Sequence, residues 1–443
     1  MRLTSCIIVG TALTTLVLPQ SASAQAKMQT NDPYMARAER VLRSSPLVDG
    51  HNDLPWAIRE SKTAKGDPGK YNLRKPTEGQ TDFPRLKQGM LGAQFWSVYI
   101  PGEKDAPAYA SNGTVSSTPG YARVQLEAID IARQVFALYP DRLAFATRAS
   151  DVPAAFKKGK IASFMGMEGG HAIENSLDLL RQYYALGVRY MTLTHNVTLD
   201  WADAALDSAK HGGLTPFGEE VVREMNRMGM LADLSHTSPG TMSATLRVTQ
   251  APVIFSHSSA RGLTDHPRNV PDSILKKLPK NGGVVMVTFV PSFISNTIYT
   301  YEREQERAAA ALKQRFGKDT AAALSGLHEW DKAHPRPPAS IAMVADHIEH
   351  VRKVASVDNV GIGSDYDGNP NQPVGLEDVS KYPALFAELA RRGWSDADLK
   401  KLAGENVLRA LKQAEQVAAR LQKERPPSYK TIAELDGKQA LRP

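Results

Sequence analysis

The stretch Leu47-Val48-Asp49-Gly50-His51-Asn52-Asp53 runs from a strand-forming start into a His-x-Asp pair. Side chains alternate across a strand, so residues two apart share a side. His51 and Asp53 can then offer a ring nitrogen and a carboxylate oxygen to one metal ion. Taken alone the pair is weak, because an aspartate after a strand is equally at home capping a turn. The pattern recurs, however. Short apolar runs at 161–167, 230–234, 253–256 and 360–363 lead into Glu168, His236, His257 and Asp365. With 46–49, 92–98, 188–194 and 284–289, the reading gives eight strands. Amphipathic stretches at 122–138, 176–185, 216–228 and 341–354 fall between them and predict helices. Thr215-Pro216 supplies a cap and a first-turn proline, and Asn281-Gly282-Gly283 a turn.

Strands alternating with helices predict an α/β fold, a (β/α)8 TIM barrel. A doubly wound open sheet is the alternative, but no glycine-rich phosphate loop follows the first strand. The segment 60–85 reads as a loop excursion. The charged, Ala-rich stretch 301–338 reads as a helical insertion between strands seven and eight. Barrel enzymes build their sites at the C-terminal strand ends, where these polar residues fall. Three histidines with carboxylates suit zinc, and manganese, cobalt or iron by ligand type. Glu168 has two oxygens and can bridge. One ion would sit on His51, Asp53 and Glu168, the other on Glu168, His236 and His257. A hydroxide shared by two such ions is a nucleophile available near neutral pH.

The chain has 443 residues, 42% hydrophobic and 23% charged, which excludes a disordered or fibrous protein. Lys and Arg number 54 against 47 Asp and Glu, a net +7 without any basic block. A solvated basic surface accounts for that, and no nucleic-acid partner is expected. The start is different in kind: Arg2, the apolar run 6–18 and Ala22-Ser23-Ala24 have the layout of a secretory signal peptide. Residues 1–24 are therefore expected to be a leader, 25–420 the barrel domain and 421–443 a peripheral tail. The product is expected to be exported, periplasmic in a Gram-negative bacterium and otherwise secreted, with no stable membrane anchor. Cys6 is the only cysteine and lies in the leader, so the mature chain can form no disulfide.

Beyond single motifs, the ordered series is specific. It comprises VDGHND at 48–53, GAQFWS at 92–97, MEGGH at 167–171, TLTHN at 192–196, DLSH at 233–236, FSHSSA at 255–260, RNVP at 268–271, GSDYDG at 363–368 and GENVLR at 404–409. From 36 to 415 the chain resembles the membrane dipeptidases, zinc peptidase family M19. The resemblance implies a binuclear zinc barrel that hydrolyses free dipeptides. It implies metal ligation by His51, Asp53, Glu168, His236 and His257. It also implies that His195 polarises the peptide carbonyl, that Arg268 binds the substrate carboxylate and that Asp365 is the acid/base group. His171 is expected beside the ligands rather than among them. Mammalian members carry disulfides and a lipid anchor, which are absent from this reading of the chain, so only a noncovalent homodimer stays open. Val290 stands where those relatives place a substrate-side tyrosine. Two other readings remain open at this point: another metal-dependent amidohydrolase, or a secreted metal- or peptide-binding protein without turnover.

Overall fold

In the computed structural model, residues 32–102 and 120–437 are described. The expected leader and Cys6 lie outside them. The strands are β1 (Leu47–Asn52), β2 (Leu91–Ser97), β3 (Leu143–Phe145), β4 (Ile161–Glu168), β5 (Val188–Thr192), β6 (Leu231–Asp233), β7 (Ile254–Phe255), β8 (Val284–Val287) and β9 (Val360–Ile362). All ladders are parallel. β1 pairs with β9, and β2 with both β1 and β4, so β1, β2 and β4 to β9 close into an eight-stranded barrel. Such strands are covered on both faces, which is why they read as apolar runs rather than alternating ones.

β3 is additional to the eight expected strands. It pairs with β4 at Ile161 to Ser163, while β5 pairs with β4 from Met165 onward. Two short strands thus share one edge of the long β4. At three residues, with an exposed Phe145, β3 has too little pattern to announce itself. Phe95 of β2 stacks on Phe164 of β4 with ring centroids 4.7 Å apart, and lies 5.3 Å from Tyr190 of β5. β2 and β5 are not neighbours, so these rings meet across the barrel interior. They form a packed floor beneath the C-terminal end.

Helices form where expected and for the expected reasons. Thr215 caps Pro216–Met228 by accepting from the Gly218 N–H. Ser176 caps Leu177–Ala185, and Ile341–Val354 precedes β9. The stretch between β8 and β9 differs in its bounds. Ser295 nucleates a helix at Asn296–Phe316, and after Gly317 a second helix, Thr320–Ala333, folds back along it. The expected start at Tyr301 falls inside the first helix. Past Asn406–Glu424, the chain returns to the helix at 216–228, where Asp436 accepts from Thr215 Oγ1 at 2.6 Å and from the Phe217 N–H at 2.9 Å. Among the described residues, no helix is long and apolar enough to cross a membrane.

Candidate metal centre

Every residue singled out from the sequence except Arg268 lies on or just beyond a strand's C-terminal end. His51 is in β1 and Asp53 follows it, and Glu168 is the last residue of β4. His195, His236, His257 and Asp365 follow β5, β6, β7 and β9, and Arg268 lies in the loop beyond β7. Simple alternation does not bring His51 and Asp53 together. The β1 register against β2 is irregular between Asp49 and Asn52, and Asp53 already belongs to the turn into Leu54–Glu60. That irregularity sets His51 Nε2 3.2 Å from Asp53 Oδ2.

Glu168 stands at the middle. Its Oε1 is 2.9 Å from His236 Nε2 and 3.3 Å from His257 Nε2, while its Oε2 is 3.4 Å from His51 Nε2. Each histidine is turned by its other nitrogen. His51 Nδ1 is 2.9 Å from Tyr190 Oη, which lies 3.2 Å from the Gly50 carbonyl it donates to. His257 Nδ1 is 2.9 Å from Ser256 Oγ, which donates to Asp233 Oδ2 at 2.6 Å. His236 Nδ1 is 3.0 Å from Asn196 Oδ1. With the proton on Nδ1 in all three rings, each Nε2 presents a lone pair. His236 Nε2 and His257 Nε2 are then two acceptors 2.9 Å apart, with a carboxylate oxygen against both. Such a set of lone pairs repels itself and suits a divalent cation. Buried His51 Nε2 and Asp53 Oδ1 have no hydrogen-bond partner, which agrees with that chemistry.

Three groupings have donor atoms within 4.8 Å of one another: His51, Glu168 and His257; Glu168, His195 and His236; and His51, Asp53 and Asp365. The five expected ligands therefore come together, and His195 and Asp365 border them. His171 is turned away, its Nε2 3.1 Å from the Ile100 carbonyl. His236 and Asp365 both have φ of +66°. Neither has the freedom of glycine there, so each stores about 1–3 kcal/mol of strain that the surrounding fold must hold. Gly368 is required for a different reason: a Cβ would meet Asp53 Oδ2 at 2.2 Å.

Two aspartates to which no sequence pattern assigns a role hold the strand ends in register. Buried Asp49 accepts from the Ser364 N–H, Ser364 Oγ and Tyr382 Oη, joining β1 to the end of β9. Buried Asp233 accepts from Thr192 Oγ1, the Ser235 N–H and the Ser256 N–H and Oγ, joining the ends of β5, β6 and β7. A charged residue within an apolar strand, just ahead of a ligand, was the available signal.

Burial opposes ionisation of Glu168, but where protons rather than a cation lie between it and the rings, the charge of His51 and hydrogen bonds from His236, His257 and His51 hold its carboxyl well below the usual range. Asp365 goes the other way: burial, reinforced by Asp53 and Glu168 and opposed by His51, pushes it well up. Arg268 is only 2% exposed, and burial lowers its pKa to about 10. It remains a cation at neutral pH, with Nη1 buried and unpartnered among the described residues. A cavity of about 440 Å³ joins these groups, walled also by Trp56, Tyr99, Val290 and Phe293.

A parallel barrel with a histidine–carboxylate cluster at its C-terminal face defines a metal-dependent hydrolase architecture. Residues 35–425 match the family model of the membrane dipeptidases, peptidase family M19. The chain belongs to that family and is a metal-dependent dipeptidase. The crystal structure of the probable dipeptidase PvdM from Pseudomonas aeruginosa is similar at 24% identity, with a TM-score of 0.72 over 87% of this chain and 99% of that one. A metallo peptidase from Rhodobacter sphaeroides, liganded with a phosphinate mimic of the dipeptide L-Ala-D-Ala, is also 24% identical. Its TM-score is 0.65 over 84% of this chain and 99% of that one. An amidohydrolase from Pseudomonas aeruginosa gives 21% identity and 0.63. At these identities the likeness is one of fold.

Proposed function

We propose that the chain hydrolyses free dipeptides with two zinc ions, one held by His51, Asp53 and Glu168 and the other by Glu168, His236 and His257. The observation that carries this reading is Glu168, whose two oxygens face two different sets of donors. Bound divalent ions would supply a nucleophilic water near neutral pH and Lewis acidity toward the scissile carbonyl.

The remaining work falls to the chain's own groups. Arg268 anchors the dipeptide carboxylate. Its planar fork suits that anion, and its buried Nη1 gains a partner only when one arrives. A third residue would carry the carboxylate past this fixed cation, which accounts for a preference for dipeptides. His195, its ring centroid 4.3 Å from that of His236, donates to the carbonyl oxygen as negative charge develops there. Asp365 takes a proton from the attacking water and returns it to the leaving amine. Its place near His51 and Asp53 favours a second assignment, as a metal ligand.

Elemental analysis of the purified chain, joined to a panel of dipeptides, tripeptides and C-terminal amides, tests the reading. About two zinc ions per chain and cleavage confined to free dipeptides are expected. Amides and tripeptides turned over as fast as dipeptides would remove Arg268 from its role. Preferential turnover of a lactone or nucleobase would move the chain to another amidohydrolase activity. Metal uptake without any turnover would leave a binding protein. We also propose export with removal of the leader near Ala24, on its charged start, apolar run and small-residue site. N-terminal sequencing checks this, and an intact Met1 on active cellular protein would refute it.

A further inference from the structure

We propose that Phe293, with Val290, makes the pocket select dipeptides whose C-terminal residue carries an apolar side chain. The inference rests on the assignment of Arg268 as carboxylate anchor. The Arg268 guanidinium carbon lies 5.2 Å from the Phe293 ring centroid, over its face. A carboxylate on Arg268 therefore brings the adjoining Cα, and the side chain it bears, up to this ring.

The ring is held from several directions. The Phe293 carbonyl accepts from Asn269 Nδ2 at 2.7 Å, and Asn269 Oδ1 accepts from the Ser259 N–H at 3.2 Å. The His266 ring packs against Phe293 with centroids 4.3 Å apart, and the Arg268 N–H donates to His266 Nδ1 at 3.1 Å. Anchor and wall are thus one braced unit. The Phe293 N–H donates to the Val290 carbonyl at 3.0 Å, placing Val290 one helical turn earlier on the same cavity wall.

Charge divides the cavity. Arg268 is the only Lys or Arg among its described lining residues, while Asp53, Glu168 and Asp365 cluster on the metal side. The scissile bond must point toward that cluster. The C-terminal side chain is left to Phe293 and Val290, which offer no hydrogen-bonding side-chain group. An amino group there would lose its hydration and face the Arg268 cation.

The test uses the zinc-loaded chain and kcat/KM for Ala-Leu, Ala-Gly and Ala-Lys, each chiral C-terminal residue in both L and D forms. In the preferred stereochemical series, leucine should exceed glycine by at least about tenfold, the scale of one or two methylene groups in an apolar pocket. Phe293→Ser should bring the Leu:Gly ratio toward one. Val290→Asp should raise the Lys:Leu ratio about tenfold. Ratios within one preparation cancel its active fraction, so partial misfolding cannot imitate either result. Equal rates for leucine and glycine in an active wild type, or wild-type ratios in both variants, would overturn the inference alone. A zinc-loaded wild type that cleaves no dipeptide would overturn the zinc-dipeptidase reading and this inference with it.

Discussion

Glu168→Gln preserves shape and removes one negative charge from the middle of the cluster. Whichever way the amide turns, one –NH2 replaces an acceptor. It then faces either His236 and His257, now 2.9 and 3.3 Å from Oε1, or His51, now 3.4 Å from Oε2. Both sets lose the charge, and one also gains a donor where a cation belongs. Removing one partner of a buried charge pair costs about 3–5 kcal/mol. At 1.4 kcal/mol per decade, that is roughly 10²- to 4 × 10³-fold in affinity, felt at both sites. The metal-free variant should be less stable than metal-free wild type, because there the Glu168 carboxylate pairs with the charge of His51. Dialysis against a competing chelator, elemental analysis and thermal melts of both apo forms measure each quantity. His236→Ala should weaken mainly one site. Two ions retained by the glutamine variant at wild-type affinity would refute the bridge, and an apo variant as stable as apo wild type would refute the pairing with His51.

Three further outcomes follow from the geometry. Asp365→Asn should keep two metals and lower kcat by about 10²–10⁴-fold, the scale of general acid/base catalysis; loss of one metal in step with activity would make Asp365 a ligand. Asp233→Ala should cost roughly 3 kcal/mol or more, because four donors from three strand ends lose their acceptor; a denaturant midpoint unchanged from wild type would contradict this. Burial, then Arg268, pushes His266 from 6.5 down to about 3, so between those values the unfolded chain binds a proton that the folded chain refuses. Its contribution is complete above pH 6.5 and lost as pH falls toward 3, about 2 kcal/mol of it by pH 5 at 1.4 kcal/mol per unit. His266→Gln should lose correspondingly less stability between pH 7 and 5 in urea unfolding, and an equal loss in both proteins would exclude the effect.

Much of the site was legible because barrel strands are short apolar runs, and a polar residue at the end of such a run stands out. Glu168, His236 and His257 were found that way. His51 and Asp53 were found on a partly mistaken ground: alternation suggested them, but a register irregularity and a turn bring them together. The left-handed backbone at His236 and Asp365 left no trace, since neither is glycine or asparagine. β3 was invisible because a three-residue strand borrows its pairing from β4. Asp49 and Asp233 were in view but without a role, because their meaning depends on hydroxyl groups far away in sequence, at Ser364, Tyr382, Thr192 and Ser256. Arg268 and His195 carry no local pattern, and the family resemblance alone marked them.

The five expected ligands span positions 51 to 257 and come from the ends of β1, β4, β6 and β7. Before the barrel closes, the chain offers a cation little more than the His51–Asp53 pair. Bringing Glu168 and the two later histidines to that pair requires closing loops of more than a hundred residues, an entropic cost that a single weakly held ion cannot offset. Metal therefore enters late, as the last component of an already formed container. The metal supply that matters is the one in the compartment where folding finishes, and a cell starved of the ion should accumulate folded but idle enzyme rather than unfolded chains.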